Sequence, residues 1–163
     1  MAPSFVRDVC TWVVTKSIGT TNGAPNLAGR DTVSKFIWLR EKRPDVWART
    51  HKLLDVKDYL LMRCTGQTVT TYDLASGGWL FNTRKGQLGW SKKILKMLDL
   101  DTDRLPTVIR STEVAGDLLE DAAGDLGLPS GTPVVAGAGD VPSCAVGSGA
   151  VRDGEVHICL GTS

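Results

Sequence analysis

A lone carboxylate in a glycine-rich turn is the part of this sequence best suited to chemistry. Asp140 follows Gly137-Ala138-Gly139, and an apolar run at residues 133–136 comes directly before that turn. Glycine has no Cβ, so another backbone or a substrate can approach the neighbouring acid closely. The same Gly-Asp pair also fits an ordinary turn in which Asp140 caps a helix. Both interpretations, a reactive carboxylate and a helix cap, stay open at this point.

The segments on either side of Asp140 predict how it is positioned. The apolar run predicts a strand before the turn, and the small residues at 143–147 predict a helix after it. A turn at Asp153-Gly154 then leads into residues 156–160, a second apolar run that predicts another strand. A polar loop follows that strand: Gly161, Thr162 and Ser163. Asp140 is therefore expected between a strand and a helix.

Apolar periodicity and end signals predict the remaining elements. A β-branched alternation favours a strand at residues 9–18. Capping residues, glycines and prolines predict helices from Asp31 or Thr32 to near Pro44, and then at residues 45–50, 57–64, 92–98 and 118–127. Residues 107–116 fit an extended segment followed by a loop. Three aromatic residues are interpreted as core packing: Trp38, Trp47 and Tyr59.

The composition is typical of a soluble globular domain. The 163 residues fit one domain, with 42% hydrophobic and 23% charged residues. A net charge of +1 without a basic, aromatic-rich block argues against nucleic-acid binding. Apolar runs are too short for a transmembrane helix, and residues 1–18 lack a signal-peptide pattern. Four scattered cysteines without a C-x-x-C pair indicate reduced thiols, no zinc site and a cytoplasmic location.

A group of acidic residues near the end of the chain could be mistaken for a metal site. Its members are Asp117, Glu120, Asp121 and Asp125. Their helical spacing predicts a solvated acidic face instead. No metal-ligating residue is therefore assigned from the sequence.

Several motifs together resemble the FGGY carbohydrate kinases, most closely their xylulokinase-like branch. The G-A-G-D turn ending at Asp140, followed about twenty residues later by L-G-T-S, resembles the end of the family's first domain. Three further segments match the family in order and spacing: K-F-I-W-L-R-E, R-P-D-V-W and K-D-Y-L-L-M-R-C-T-G. The resemblance runs from about Gly23 to Ser163.

This resemblance implies an α/β fold that is part of an actin-like ATPase domain of the ribonuclease-H-like type. In the family, the aspartate of the turn takes the proton from the sugar hydroxyl, so Asp140 is implied as general base and, with Gly139, as a substrate-binding residue. The Gly-Thr loop of the family faces the ATP phosphates, which implies cofactor binding here by Gly161, Thr162 and Ser163. The implied reaction is phosphorylation of a sugar hydroxyl by ATP and Mg²⁺, converting D-xylulose to xylulose 5-phosphate.

Residues 70–82 depart from the family pattern that they resemble. That pattern is T-D-x-x-x-A-S-x-x-x-L-F-D, a helix beside the substrate cleft, whereas Thr71 and Asn82 stand where aspartate is common. Asp73 is the neighbouring acid that could take over a polar role. Gly77-Gly78 within a helix would cost roughly 1 kcal/mol per residue, which indicates close packing or a shortened helix.

The resemblance extends to only part of an FGGY kinase. The family's D-x-G-T phosphate loop and its G-Q-x-H-G-type sugar-binding segment do not occur in the sequence. Residues 1–163 are therefore expected to be a partial N-terminal domain, ending at the loop that leads into a missing C-terminal domain. Without that domain the fragment is expected to be inactive. Its open strand edges favour self-association, for instance as a homodimer.

Two alternatives to a xylulose kinase follow from the same residues. The parent enzyme could phosphorylate another polyol or sugar acid, such as glycerol, ribulose or gluconate, because the sugar-reading segment is absent. The chain could instead be a non-catalytic interaction module derived from the kinase half-domain. For an enzyme, the expected partners are a small sugar and Mg-ATP, with no nucleic acid and no membrane.

Overall fold

Three helices come first in the described residues and are followed by a mixture of short strands and helices, which is the α/β class expected from the sequence. The structure, a computed structural model, describes residues 31–160. The strand predicted at residues 9–18 lies outside that range. In the described part of the chain, no helix has the length and apolar character needed to cross a bilayer.

Helices and strands follow one another through residues 31–160 in the order given by their bounds. The helices are α1 (Thr32–Lys42), α2 (Pro44–Arg49), α3 (Val56–Thr65), α4 (Tyr72–Gly77), α5 (Lys92–Leu98), α6 (Glu120–Leu126) and α7 (Asp140–Gly147). The strands are β1 (Val69–Thr71), β2 (Phe81–Asn82), β3 (Gly89–Trp90), β4 (Thr107–Ile109), β5 (Val114–Asp117) and β6 (Pro133–Val135). A single 3₁₀ turn at Thr102–Arg104 precedes β4.

The ends of the helices follow local sequence signals. Pro44 begins α2, where its missing N–H has no intrahelical role. The carboxylate of Asp55 accepts a hydrogen bond from Val56 N–H at the start of α3. The Ser91 hydroxyl accepts one from Ile94 N–H at the start of α5. Each bond satisfies an amide that the helix itself cannot pair. Helix α5 begins where predicted, and α3 begins one residue earlier than predicted.

Strand pairs bring distant parts of the chain together around the turn that precedes Asp140. Strands β1 and β4 are parallel, with Val69 opposite Thr107. Strands β5 and β6 are antiparallel, with an irregularity between Val114 and Gly116. Strands β2 and β3 form a third, antiparallel pair. The turn at residues 136–139 therefore leaves a paired strand, β6, before α7 begins.

The hydrophobic core lies between α1, α5 and the segments that flank them. Its buried members are Val33, Ile37, Leu53, Leu80, Ile94, Leu95, Leu98, Leu100 and Leu105. Phe36, Trp47 and Trp90 pack against this cluster from its edge. Trp90 also donates its indole N–H to the Pro106 carbonyl at 2.9 Å, which pairs the polar end of an otherwise apolar ring.

The prediction of core packing is wrong for two of the three aromatic residues. Trp47 packs against the core as expected, but Trp38 and Tyr59 are each 47% exposed. Both lie on helices whose buried faces are occupied by other residues, Ile37 on α1 and Leu61 on α3. A large aromatic side chain predicts burial only where its helix face meets another element.

Two segments differ from their predicted secondary structure. Residues 70–82 are not one helix, because β1 ends at Thr71, α4 ends at Gly77 and β2 begins at Phe81. Helix α4 is short and ends at Gly77, which is one of the two outcomes that the pair Gly77-Gly78 predicted. Residues 156–160 form no strand, and Val156, Ile158 and Leu160 are strongly exposed. A strand requires a neighbour for its backbone groups, and none of the described strands pairs with this segment.

Helix α6 begins two residues later than predicted and buries less of its apolar face. Leu118 and Ala123 are buried, whereas Leu119 and Leu126 are exposed. The four acidic residues predicted to form a solvated face are all exposed: Asp117, Glu120, Asp121 and Asp125. Their exposure is confirmed, but Asp117 is the last residue of strand β5, so only the other three lie on the helix.

Candidate functional site

The carboxylate singled out from the sequence lies at the start of helix α7. Asp140 is the first residue of this helix, and Gly139 is the N-cap. Gly137 has φ of +71°, a left-handed conformation that residues with a Cβ adopt only at a cost. A short irregular segment that contains Gly137 thus leads from strand β6 into the helix at Asp140, in the order that the sequence predicted.

Hydrogen bonds from three separate segments hold the backbone of this turn. Lys57 of α3 donates its ammonium group to the Ala136 carbonyl at 3.0 Å. The carbonyl of Ser111, in the turn between β4 and β5, accepts from Gly137 N–H at 3.0 Å. The carboxylate of Asp73, in α4, accepts from Gly139 N–H at 2.6 Å. Residues 136–139 are thus fixed by parts of the chain far away in sequence.

Close packing, rather than an unusual dihedral angle, explains the glycine at position 139. Its φ of −67° is ordinary for any residue. A Cβ at this position would lie 3.2 Å from Asp73 Oδ2 and 3.3 Å from Leu74 Cδ2, closer than normal contact. The sequence predicted that something approaches the backbone beside Asp140, and in the structure it is helix α4.

Asp73 is half-buried and interacts with two turns at once. Besides the bond to Gly139, its Oδ1 lies 3.5 Å from the Ser111 hydroxyl, the long limit of a hydrogen bond. Partial burial raises the pKa of Asp73, but the Thr71 hydroxyl and the backbone N–H groups of Gly139, Asp73 and Leu74 lower it, and the net shift is downward. The buried Thr71 hydroxyl makes no hydrogen bond of regular geometry, so the backbone amides are the better-defined cause. Asp73 is accordingly an ionised acceptor at neutral pH.

The Asp140 side chain is exposed at the end of this framework. Its Oδ1 accepts a hydrogen bond from Val141 N–H at 2.8 Å. An ionised carboxylate accepts at two oxygens, so this bond leaves acceptor capacity for a hydroxyl proton. The geometry thus satisfies one amide at the helix start while presenting the carboxylate to solvent.

Of the predicted site residues, the structure places Gly139 and Asp140 side by side at the start of α7. Gly161, Thr162 and Ser163 lie outside the described residues. Two open hollows within residues 31–160, of about 500 Å³ and about 420 Å³, are lined by other segments, one of them by His51 and Tyr59 and the other by Tyr72 and Trp90. Neither hollow includes Gly139 or Asp140, so the site is an exposed edge of the described structure.

Sequence reasoning missed two of the residues that hold the turn. Lys57 occurs in the K-D-Y-L segment, which was interpreted only as a helix, and Ser111 occurs in a loop. Their contacts with residues 136 and 137 span long stretches of chain, and no local spacing indicates them. The sequence indicates a polar role for Asp73 but not its hydrogen bond with Gly139.

Comparison with known proteins shows which sequences and folds are similar. The pattern of the FGGY family of carbohydrate kinases, N-terminal domain, matches residues 15–147. The xylulose kinase of Escherichia coli (strain K12) is 34% identical over 132 residues, which are 81% of this chain and 27% of that protein. The gluconokinase of Bacillus subtilis (strain 168) is 28% identical over 131 residues, 80% of this chain and 25% of that protein.

A solved structure extends the likeness to three dimensions. The ligand-bound xylulose kinase from Lactobacillus acidophilus superposes with a TM-score of 0.78 and 25% sequence identity, covering 90% of this chain and 29% of that one. The chain therefore spans about a quarter of the length of the relatives that it matches.

Proposed function

Because this chain belongs to the FGGY family of carbohydrate kinases, we propose that it is the part of a sugar kinase that supplies the general base, Asp140. The predicted fold class, an α/β domain of the carbohydrate-kinase, actin-like type, is confirmed by the family match and by the likeness to solved kinases. The observation that carries the proposed role is the exposed Asp140 carboxylate at the end of a turn fixed by three separate segments.

The proposed reaction is transfer of the γ-phosphoryl group of ATP to a sugar hydroxyl. Asp140 accepts the hydroxyl proton as the oxygen attacks phosphorus, and the bond from phosphorus to the bridging oxygen of ADP breaks. Phosphoryl transfer depends on alignment and charge stabilisation more than on covalent chemistry by the protein. A base that is held rigidly at a helix start fits this requirement, because its direction of approach is set before substrate binds.

ATP and Mg²⁺ belong to the proposal as substrate and its metal. The phosphate-facing residues proposed from the family resemblance are Gly161, Thr162 and Ser163. Within residues 31–160 no group of three or more His, Cys, Asp or Glu side chains is arranged to hold a metal ion. Mg²⁺ in kinases is held largely by nucleotide phosphates and water, with one or two carboxylates. We therefore propose that the ion comes to the site bound to the nucleotide phosphates.

The proposal also covers the sugar substrate, the rest of the protein and its location. D-Xylulose is the proposed sugar, supported by the similarity to xylulose kinases, and the similarity to a gluconokinase keeps gluconate as the second candidate. We propose that residues 1–163 are part of an N-terminal domain that requires a C-terminal domain for activity, in a protein of the cytoplasm. The exposed Asp140 edge is the surface on which sugar and nucleotide would meet.

The test is the substitution Asp140→Asn in the longer kinase that carries this chain. Asparagine keeps the size and one acceptor oxygen but cannot take up a proton, so we expect kcat to fall about a hundred- to ten-thousand-fold. ADP release would be measured by a coupled assay with D-xylulose, D-gluconate, D-ribulose and glycerol in parallel. The melting temperature would be measured on the same proteins.

The control for this experiment is Asp153→Asn, the same substitution in the exposed turn after α7. It should leave kcat and melting temperature unchanged. If Asp140 acts only at the helix end, asparagine replaces it well there. Retention of more than about a tenth of the unmutated kcat by Asp140→Asn would therefore contradict the general-base role.

A further inference from the structure

The carboxylate of Asp73 contacts the residue that directly precedes Asp140. Its Oδ2 accepts from Gly139 N–H at 2.6 Å, although 66 positions separate the two residues in sequence. Hydrogen bonds to an ionised acceptor are shorter and about twice as strong as neutral ones. The contact therefore fixes the peptide that leads into Asp140 more firmly than a neutral side chain would.

The packing around Gly139 leaves little freedom for the turn to move relative to helix α4. Asp73 and Leu74 both lie so close that a single Cβ on Gly139 would crowd them. The neighbouring Gly137 is held independently by the Ser111 carbonyl, and the Ser111 hydroxyl in turn approaches Asp73. Asp73 thus connects the turn between β4 and β5 with the turn that precedes Asp140.

We propose that Asp73 is the positioning residue of this site: it fixes Gly139 and thereby the direction in which Asp140 meets the substrate hydroxyl. The inference rests on the proposed function of Asp140 as base. It assigns Asp73 no proton transfer, since its carboxylate already accepts bonds from the protein. Loss of the contact should loosen the turn locally while leaving the core cluster around Ile94 intact.

The first experiment measures this local loosening in the 163-residue chain. Amide hydrogen exchange of Gly139 and of Ile94, a core residue with no exposed surface, would be followed by NMR in three variants: Asp73→Asn, Asp73→Ala and Asp121→Ala. Loss of a hydrogen bond to a charged group should speed Gly139 exchange roughly ten- to a hundredfold in Asp73→Ala. The Gly139 exchange rate in Asp73→Asn should lie between the rates in Asp73→Ala and in the unmutated chain, because asparagine retains an acceptor oxygen.

Asp121 is the matched control because it is also the second residue of a short helix. It lies in the first turn of α6, as Asp73 does in α4, but its side chain is exposed. Removing it changes the helix dipole interaction in the same way without affecting the turn. Equal acceleration of Gly139 and Ile94 would mean global destabilisation and would overturn the positioning role, as would unchanged Gly139 exchange in Asp73→Ala.

The second experiment uses the longer kinase and separates positioning from chemistry. Asp73→Ala should lower kcat about ten- to a hundredfold, the size of effect that a small misplacement produces, with KM for ATP unchanged. Asp73→Asn should recover most of that loss. If the kcat of Asp73→Asn is as low as that of Asp73→Ala, the charge of Asp73 takes part in the reaction and the inference is wrong. Absence of sugar phosphorylation in the unmutated kinase would refute the proposed function alone, because Gly139 exchange still decides whether Asp73 holds the turn.

Discussion

The ion pair of Lys57 and Asp58 joins helix α3 to the strand end that precedes the Asp140 turn. Lys57 Nζ lies 2.9 Å from Asp58 Oδ1 and donates to the Ala136 carbonyl at 3.0 Å. The Asp58 side chain is 2% exposed, whereas 23% of the Lys57 side chain remains exposed. Substituting Lys57→Met therefore leaves a buried carboxylate without its counter-ion and removes a donor from the turn.

The expected cost follows from this difference in burial. Removing one member of a buried ion pair costs about 3–5 kcal/mol, because the remaining charge is stranded away from water. The ammonium group of Lys57 is partly in contact with solvent, which screens its attraction to Asp58. The expected cost of Lys57→Met is therefore at the lower end of that range, about 3 kcal/mol. Asp58→Asn should cost less, since Lys57 can turn its charge towards solvent. The double substitution should then cost at least 1 kcal/mol less than the sum of the single ones.

The assay is urea unfolding of the 163-residue chain, followed by tryptophan fluorescence and circular dichroism. The control is Lys93→Met, which removes an exposed lysine from α5 and should change the free energy of unfolding by less than about 0.5 kcal/mol. If Lys57→Met costs no more than this control, the pair behaves as a surface ion pair and the reasoning is refuted. Additive single and double substitutions would refute it equally.

Two further predictions concern the same turn. Gly139→Ala should lower the free energy of unfolding in urea by about 1 kcal/mol, because the added methyl group displaces Asp73 and Leu74; an unchanged or raised stability would contradict the packing. The pKa of Asp73 is lowered by folding, so its contribution to stability is complete above the ordinary aspartate value of about 3.9 and is lost as pH falls through the lower, folded value. The Gly139 amide resonance should therefore stay constant from about pH 8 to 5 and shift only below about pH 4, and a midpoint above about pH 5 would contradict the lowered pKa.

The parts of the fold that were predictable are those set by neighbours in sequence. Ser91 and Gly127 mark helix ends at the predicted positions, and Pro44 begins α2 one residue before the predicted start. Each acts on backbone groups within one turn of itself, through a fixed φ, a side-chain acceptor or a left-handed conformation. Such signals require no knowledge of the rest of the molecule.

The errors concern features that depend on a distant partner. Trp38 and Tyr59 have the size and apolarity of core residues, but the elements that would cover them do not lie against those helix faces in the described structure. Residues 156–160 have the composition of a strand without a paired neighbour among the described strands. The composition of a segment indicates whether its side chains could be buried or its backbone paired in a sheet. Whether this happens depends on which elements lie against it in the tertiary structure.

Moving an acid by two positions, from residue 71 to residue 73, changes both its burial and the contacts that it can make. Thr71 ends strand β1 and has no exposed surface, so a carboxylate there would lose its hydration and require a new partner. Asp73 is two positions further on, in the first turn of α4, where it is only half-buried and faces Gly139 N–H. Because the helix begins at Tyr72, those two positions change the direction of the side chain as well as its burial. The fold therefore explains why position 73 can keep a charge and use it to hold the turn before Asp140.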